Sequence, residues 1–132
     1  MNNLFDSLKP YADVVGRVLI AAVFVLAGWG KISGYAGTQA YMRHAGVPGS
    51  LLPLVILLEL GGGIAIIIGL YTRPVALLLA GFSIIAGMLF HGGSADQTQQ
   101  IMLLKDLGLA GGFLFLAANG AGRLSIDARR RA

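Results

Sequence analysis

The sequence contains no cysteine, which excludes disulfide staples, iron–sulfur clusters, thiol redox chemistry and cysteine-ligated zinc. Charge is scarce too: 12% of the residues are Asp, Glu, Lys or Arg, about half the usual share of a soluble domain. There is no nucleotide-binding glycine loop, no H-E-x-x-H, no G-x-S-x-G and no nucleophile triad. Gly61-Gly62-Gly63 lies inside an apolar stretch and reads as a packing run, not a phosphate loop. The N-terminal stretch carries Asp6 and Asp13 and lacks a short apolar run with a small-residue cleavage site, so it does not read as a signal peptide. What fills the space is apolar: 56% of the 132 residues are hydrophobic and the mean hydropathy is +0.77. A soluble domain of this size exposes too much surface to be so poor in polar residues. The composition excludes an ordinary soluble enzyme, a disordered chain and a coiled coil, and points to a compact integral membrane protein.

A net charge of +4 does not argue for nucleic acid, because Arg129, Arg130 and Arg131 end the chain beside a membrane-like body. Such a tail sets topology or touches anionic lipid. A span needs about 20 mostly apolar residues across ~30 Å. Four stretches qualify: 14–32, 51–71, 74–91 and 100–118. The reading is a single all-α domain over 1–132, a transmembrane four-helix bundle running up, down, up, down. Gly69 and Pro74 mark the tight turn between the second and third spans. Ser94-Ala-Asp-Gln97 fits a capping box for the fourth helix. Between the first two spans, 38–45 reads as a short interfacial helix with Tyr41 and Met42 facing lipid.

Basic residues set the orientation. Lys9, Arg17, Arg73, Arg123 and the three terminal arginines fall on one side, and Lys31, Arg43 and Lys105 on the other. Both termini are therefore expected in the cytoplasm, with connectors 33–50 and 92–99 facing outward. Leu58-Glu59-Leu60-Gly61-Gly62-Gly63 resembles Lys105-Asp106-Leu107-Gly108 followed by Gly111-Gly112. Either the two helical hairpins are parallel repeats, or a Leu/Gly-rich chain shows a chance likeness.

Glu59 lies about 12 Å below the outer end of its span and Asp106 about 9 Å, at 1.5 Å per residue. A lone charge at mid-bilayer costs about 2.5–3.5 kcal/mol even on a lenient scale. Both acids are expected inside the bundle, where each finds a cationic partner or takes up a proton. Lys31, Lys105 and His91 sit at the same outer ends and are the natural partners. The plain alternatives are that Glu59 is a polar staple, that Lys31 and Arg17 snorkel to opposite interfaces, and that His91 caps a helix end. No metal site is read. Haem is disfavoured because His44 and His91 fall in connector or interface positions. The 20 glycines exceed the nine or so of ordinary usage. Gly108-x-x-x-Gly112 and Gly61-x-x-x-Ala65 are small-residue ridges, for packing within the monomer or for a homodimer face. Trp29, with Tyr11, Tyr35, Tyr41 and Tyr71, reads as an interface anchor. Trp29 and Phe90 are also placed to wall an aromatic-ring ligand.

Taken together, Ala27-Gly28-Trp29-Gly30-Lys31-Ile32, Gly46-Val47-Pro48, Glu59-Leu60-Gly61-Gly62-Gly63, Gly69-Leu70-Tyr71-Thr72-Arg73, Phe90-His91 and Gly122-Arg123-Leu124-Ser125-Ile126-Asp127 resemble the DoxX family, and within it the short YqjF-like branch of bacterial inner-membrane proteins. The resemblance spans about 14–127. It implies a four-helix bacterial inner-membrane protein. The family takes its name from a subunit of a thiosulfate:quinone oxidoreductase, and other members are linked to redox or oxidative-stress assemblies. The family pattern marks Arg17, Lys31, Glu59, His91 and Lys105, while Asp106 stands where many relatives carry Asn.

These residues support two functional readings. In one, a redox-associated subunit binds a quinone or similar apolar ring in the outer half of the bundle. Glu59 is its exchangeable proton site and Asp106 a second acid that adjusts the charge. Lys31, His91 and Lys105 orient the ring, and Trp29 flanks it. Electrons come from a redox partner protein, since the chain carries no evident electron carrier. In the other, the chain is a non-catalytic membrane scaffold and the charge cluster only locks the helices. Membrane lipid is the expected surrounding partner, and nucleic acid is not.

Overall fold

A computed structural model describes residues 2–93 and 95–131 of the chain, so Ser94 of the expected capping box lies outside the described residues. The described chain is helical almost throughout, and four helices are long and apolar enough to cross a membrane. Helix α1 runs Asn2–Ser33, well before the expected start at residue 14. At 1.5 Å per residue it is about 48 Å long, longer than a ~30 Å hydrocarbon layer, so one end stands beyond that layer. Helix α2, Tyr35–His44, is the short connector helix. Its expected lipid-facing pair is split: Tyr41 is exposed and stacks on Phe90 at 5.3 Å, whereas Met42 is buried. The cause is that α2 folds back against the turn at Gly49–Leu51 and the end of α1, so only one of its faces stays open.

The second crossing covers Gly49–Ile68. It begins with that 3₁₀ turn, continues as α3 (Leu52–Ile56), widens into a π turn at Leu57–Gly61, and ends as α4 (Gly62–Ile68). Gly69, at φ 73°, stops it in the left-handed region that glycine alone enters without cost. Helix α5 (Thr72–His91) returns, and α6 (Gln97–Asn119) descends. Asp96 caps α6 by accepting from the Thr98 N–H at 3.1 Å. A short terminal helix α7, Ile126–Arg131, closes the chain.

The bundle is assembled as two helical hairpins. Helix α1 packs on the π turn and α4, α5 packs on α6, and α4 joins α5. Phe24, Ile66, Leu79 and Phe113 form the buried centre with small residues such as Ala21, Ala76 and Ala110 around them. Phe24 meets Phe113 edge-on at 5.3 Å. Close approach is made at glycines: a Cβ on Gly63 would fall 2.7 Å from Val25, and one on Gly28 3.0 Å from Leu60. The ridges read from sequence differ in detail. Gly112 touches Ile20, but Gly108 faces open space and Gly61 makes only ordinary contact.

The end carrying both termini is tied by the last segment. The Asp127 carboxylate accepts from the Tyr71 and Thr72 N–H groups at 2.7 and 2.8 Å, and its own N–H donates to the Gly69 carbonyl at 2.8 Å. A residue 55 positions downstream thus supplies the N-cap of α5. Asp127→Ala is expected to lower stability by about 1 kcal/mol, the usual worth of a lost cap. Thermal unfolding in detergent checks this, and Asp127→Asn is expected to recover most of the loss.

Candidate functional site

The half of each hairpin away from the termini holds one acid and one base. In the first, Lys31 ends α1 and Glu59 sits on the π turn, with Lys31 Nζ 2.7 Å from Glu59 Oε1. Glu59 is 4% exposed, whereas the Lys31 side chain keeps 28% of its surface open. The π turn matters here. One added residue in a helix rotates the next turns by about 100°, which re-aims the residues around it, and such turns recur at functional sites. Gly28, Gly62 and Gly63 let the surrounding backbones come close enough for the pair to form between helices.

In the second hairpin, His91 ends α5 and Asp106 lies two turns into α6. His91 Nε2 is 3.8 Å from Asp106 Oδ2, within ion-pair range but beyond a hydrogen bond. His91 Nδ1 contacts Gln99 Oε1 at 2.5 Å, which fixes the ring. Room for Asp106 is made by Gly87, whose Cβ would stand 2.9 Å from that of Asp106.

The expected cluster of two acids, two lysines and a histidine is thus divided into two pairs. Lys105 is exposed and enters neither. Trp29 is 63% exposed, on the lipid-facing surface, while Phe90 is stacked on Tyr41, so these rings do not form one aromatic wall.

Arg17 departs most from its sequence reading. It does not snorkel: it is 2% exposed and fastens three segments. Nη1 donates to the carbonyls of Ile66 at 3.2 Å and Ile67 at 3.0 Å, and Nη2 to Leu124 at 2.5 Å. Its Nε is buried with no hydrogen-bond partner among the described residues. The carbonyls of Ile66 and Ile67 belong to the last turn of α4, past the regular helical bonds; the Gly69 N–H also donates to Ile66, at 3.2 Å. Gly69 accommodates the guanidinium, since a Cβ there would lie 2.5 Å from Arg17 Nη1. In the sequence, Arg17 and the two glycine-containing turns stood out separately, with nothing to show that they meet.

Comparison with known proteins places this arrangement. The chain is 54% identical over 120 residues to inner membrane protein YqjF of Escherichia coli (strain K12), covering 91% of this chain and 92% of that protein. It is 30% identical over 132 residues to inner membrane protein YphA of the same organism, with 95% and 94% covered. A shorter match, 33% identical over 64 residues and 48% of each chain, is to CatD of Bacillus subtilis (strain 168), named as a putative oxidoreductase. No solved structure matches. The DoxX family profile matches residues 12–92, a stretch that holds Arg17, both members of the Lys31–Glu59 pair and His91, and the chain belongs to that family as a YqjF-like member.

Proposed function

We propose that the protein is a redox-associated inner-membrane subunit that binds a quinone or a similar apolar ring in the outer half of its bundle, with both termini in the cytoplasm. The observation that carries this reading is the Lys31–Glu59 pair, a buried carboxylate on a π turn behind a partly open lysine. An ammonium has three N–H donors. Glu59 engages one side of it, and the open side is available to a ring oxygen. His91 Nε2 is similarly uncommitted at 3.8 Å from Asp106. When bound, a quinone supplies an acceptor for two electrons and two protons. The chain's own part is to orient the ring through Lys31 and His91 and to hold an exchangeable proton at Glu59. Asp106 adjusts the charge at His91, and exposed Lys105 adds positive charge on the same side. Trp29 anchors α1 at the outer interface. Electrons come from a partner protein. Support comes from the names of the YqjF and YphA relatives for the membrane, and from that of CatD for redox chemistry. The orientation rests on seven basic residues at one end against three at the other.

The scaffold reading has one observation in its favour: each acid already has a basic side chain within its own hairpin. Glu59→Gln separates the two, because it keeps shape and hydrogen bonding and removes titration. In reconstituted membranes loaded with a ubiquinone probe, the variant is expected to fold and assemble normally while quinone occupancy falls about tenfold, because a neutral amide no longer holds the Lys31 ammonium in place for its charge-assisted contact to the ring. Unchanged occupancy in a normally folded variant would favour the scaffold.

A further inference from the structure

Helices α1 and α6 meet at Gly112, where a Cβ would lie 2.7 Å from Ile20 Cδ1. From there toward the end carrying both termini the seam opens, because α1 packs on α4 and the π turn while α6 packs on α5. The opening is a groove of about 560 Å³. Its walls are graded in polarity. Ile20, Phe115 and Leu116 line one part, and Lys9, Asp13 and Asn119 line the other, with Arg17 between them. Along α1, Lys9 stands about 16 Å from Ile20 at 1.5 Å per residue, so the gradient runs along the bundle axis and passes from acyl-chain depth to headgroup depth.

The charge in this groove is uneven. Lys9 is bonded to Asp13 at 2.8 Å, and these two cancel. Arg17 donates to carbonyls and forms no direct ion pair among the described residues, while the Asp13 and Asp127 carboxylates act on it from farther off. Its buried Nε lacks an acceptor. The charged residues that line the groove, Lys9, Asp13 and Arg17, sum to one positive charge, with Asp127 outside the lining, and the buried Arg17 Nε is an unused donor beneath the apolar channel.

We infer that the groove between α1 and α6 is a lateral binding site for a single anionic phospholipid. One chain lies along Ile20, Phe115 and Leu116, and the phosphodiester lies at the level of Arg17 and Lys9. A phosphodiester carries one negative charge, which matches the groove's surplus, whereas a neutral ring gains nothing from it. The apolar half excludes free phosphate as the natural occupant. This site is separate from the outer acid–base pairs and stands or falls independently of the quinone reading.

The test uses the full chain, delipidated in detergent and offered equimolar phosphatidylglycerol and phosphatidylcholine, with bound lipid read by native mass spectrometry. The wild type is expected to retain phosphatidylglycerol roughly fivefold over phosphatidylcholine, the effect of one basic residue on an anionic lipid. Gly16 lines the groove and has open space where its Cβ would be, so Gly16→Leu fills the groove without a clash. That variant is expected to lose the preference and to unfold at the wild-type temperature. Leu26→Phe, on an exposed surface outside the groove, is expected to keep it. Equal retention of the two lipids by the wild type, or a preference that survives Gly16→Leu, overturns the assignment. A quinone that co-purifies and is displaced by Gly16→Leu also overturns it, as does a change of oligomeric state in that variant, which would make the occupant a second copy of the chain.

Discussion

Arg17→Met is expected to destabilise the fold by about 4 kcal/mol, within the range for removing one side of a buried charged contact. The guanidinium donates to three carbonyls on two segments. A hydrogen bond to a charged group contributes about 1.5–3 kcal/mol, and the desolvation of the buried cation takes part of that back. Removing it leaves the Ile67 carbonyl at the end of α4 without its Arg17 donor and the Ile66 carbonyl with the Gly69 N–H at 3.2 Å, in surroundings where water is scarce. It also frees Leu124 and, with it, the segment that carries Asp127 to the N-terminus of α5. The loss should therefore show first as proteolysis within residues 120–126 and then as a lower unfolding temperature. Arg17→Lys is expected to be intermediate, since an ammonium is a point donor and cannot fork between α4 and the terminal segment. A change below about 1 kcal/mol for Arg17→Met would mean that the three bonds no more than offset the cost of burial.

The same residue shows where the sequence stops being informative. Four spans were legible because each is a run of about 20 apolar residues, and that signal needs no knowledge of neighbours. Arg17 near the end of such a run has the ordinary signature of a snorkelling cation. Its partners lie 49, 50 and 107 positions away, and no local pattern announces them. Depth within a span did identify Glu59 and Asp106 as acids in need of partners, and end position identified Lys31 and His91. The division into two pairs was not legible, because it depends on which helices face each other. The π turn at Leu57–Gly61 was equally hidden, since it alters the helical phase by one residue within a run that is apolar apart from Glu59. Glycine content signalled close packing, yet Gly28, Gly63 and Gly112 make the contacts while Gly108 does not, a matter of rotation about each helix axis. Met42 went inward for a similar reason: the short connector helix folds back on the bundle, which covers one of its faces.

Lys31→Met is expected to cost roughly 3 kcal/mol, and Lys31→Met combined with Glu59→Leu is expected to recover all but about 1 kcal/mol of it. Taking away the lysine alone strands a carboxylate that is 4% exposed and whose nearest cation stood at 2.7 Å. Removing both groups leaves two apolar side chains of similar reach at a site packed by Gly28 and Gly63, where nothing charged remains to be compensated. On that expectation the fold tolerates loss of the pair as a unit, and a double-mutant cycle of unfolding free energies measures the coupling. The cycle also bears on function. A scaffold needs only the packing, so the double variant should assemble as the wild type does. A ring-binding, proton-exchanging site needs the ammonium donors and the acid, so the same stable double variant should lose quinone occupancy. Stability recovered with occupancy lost assigns the pair to chemistry; stability recovered with occupancy kept assigns it to architecture.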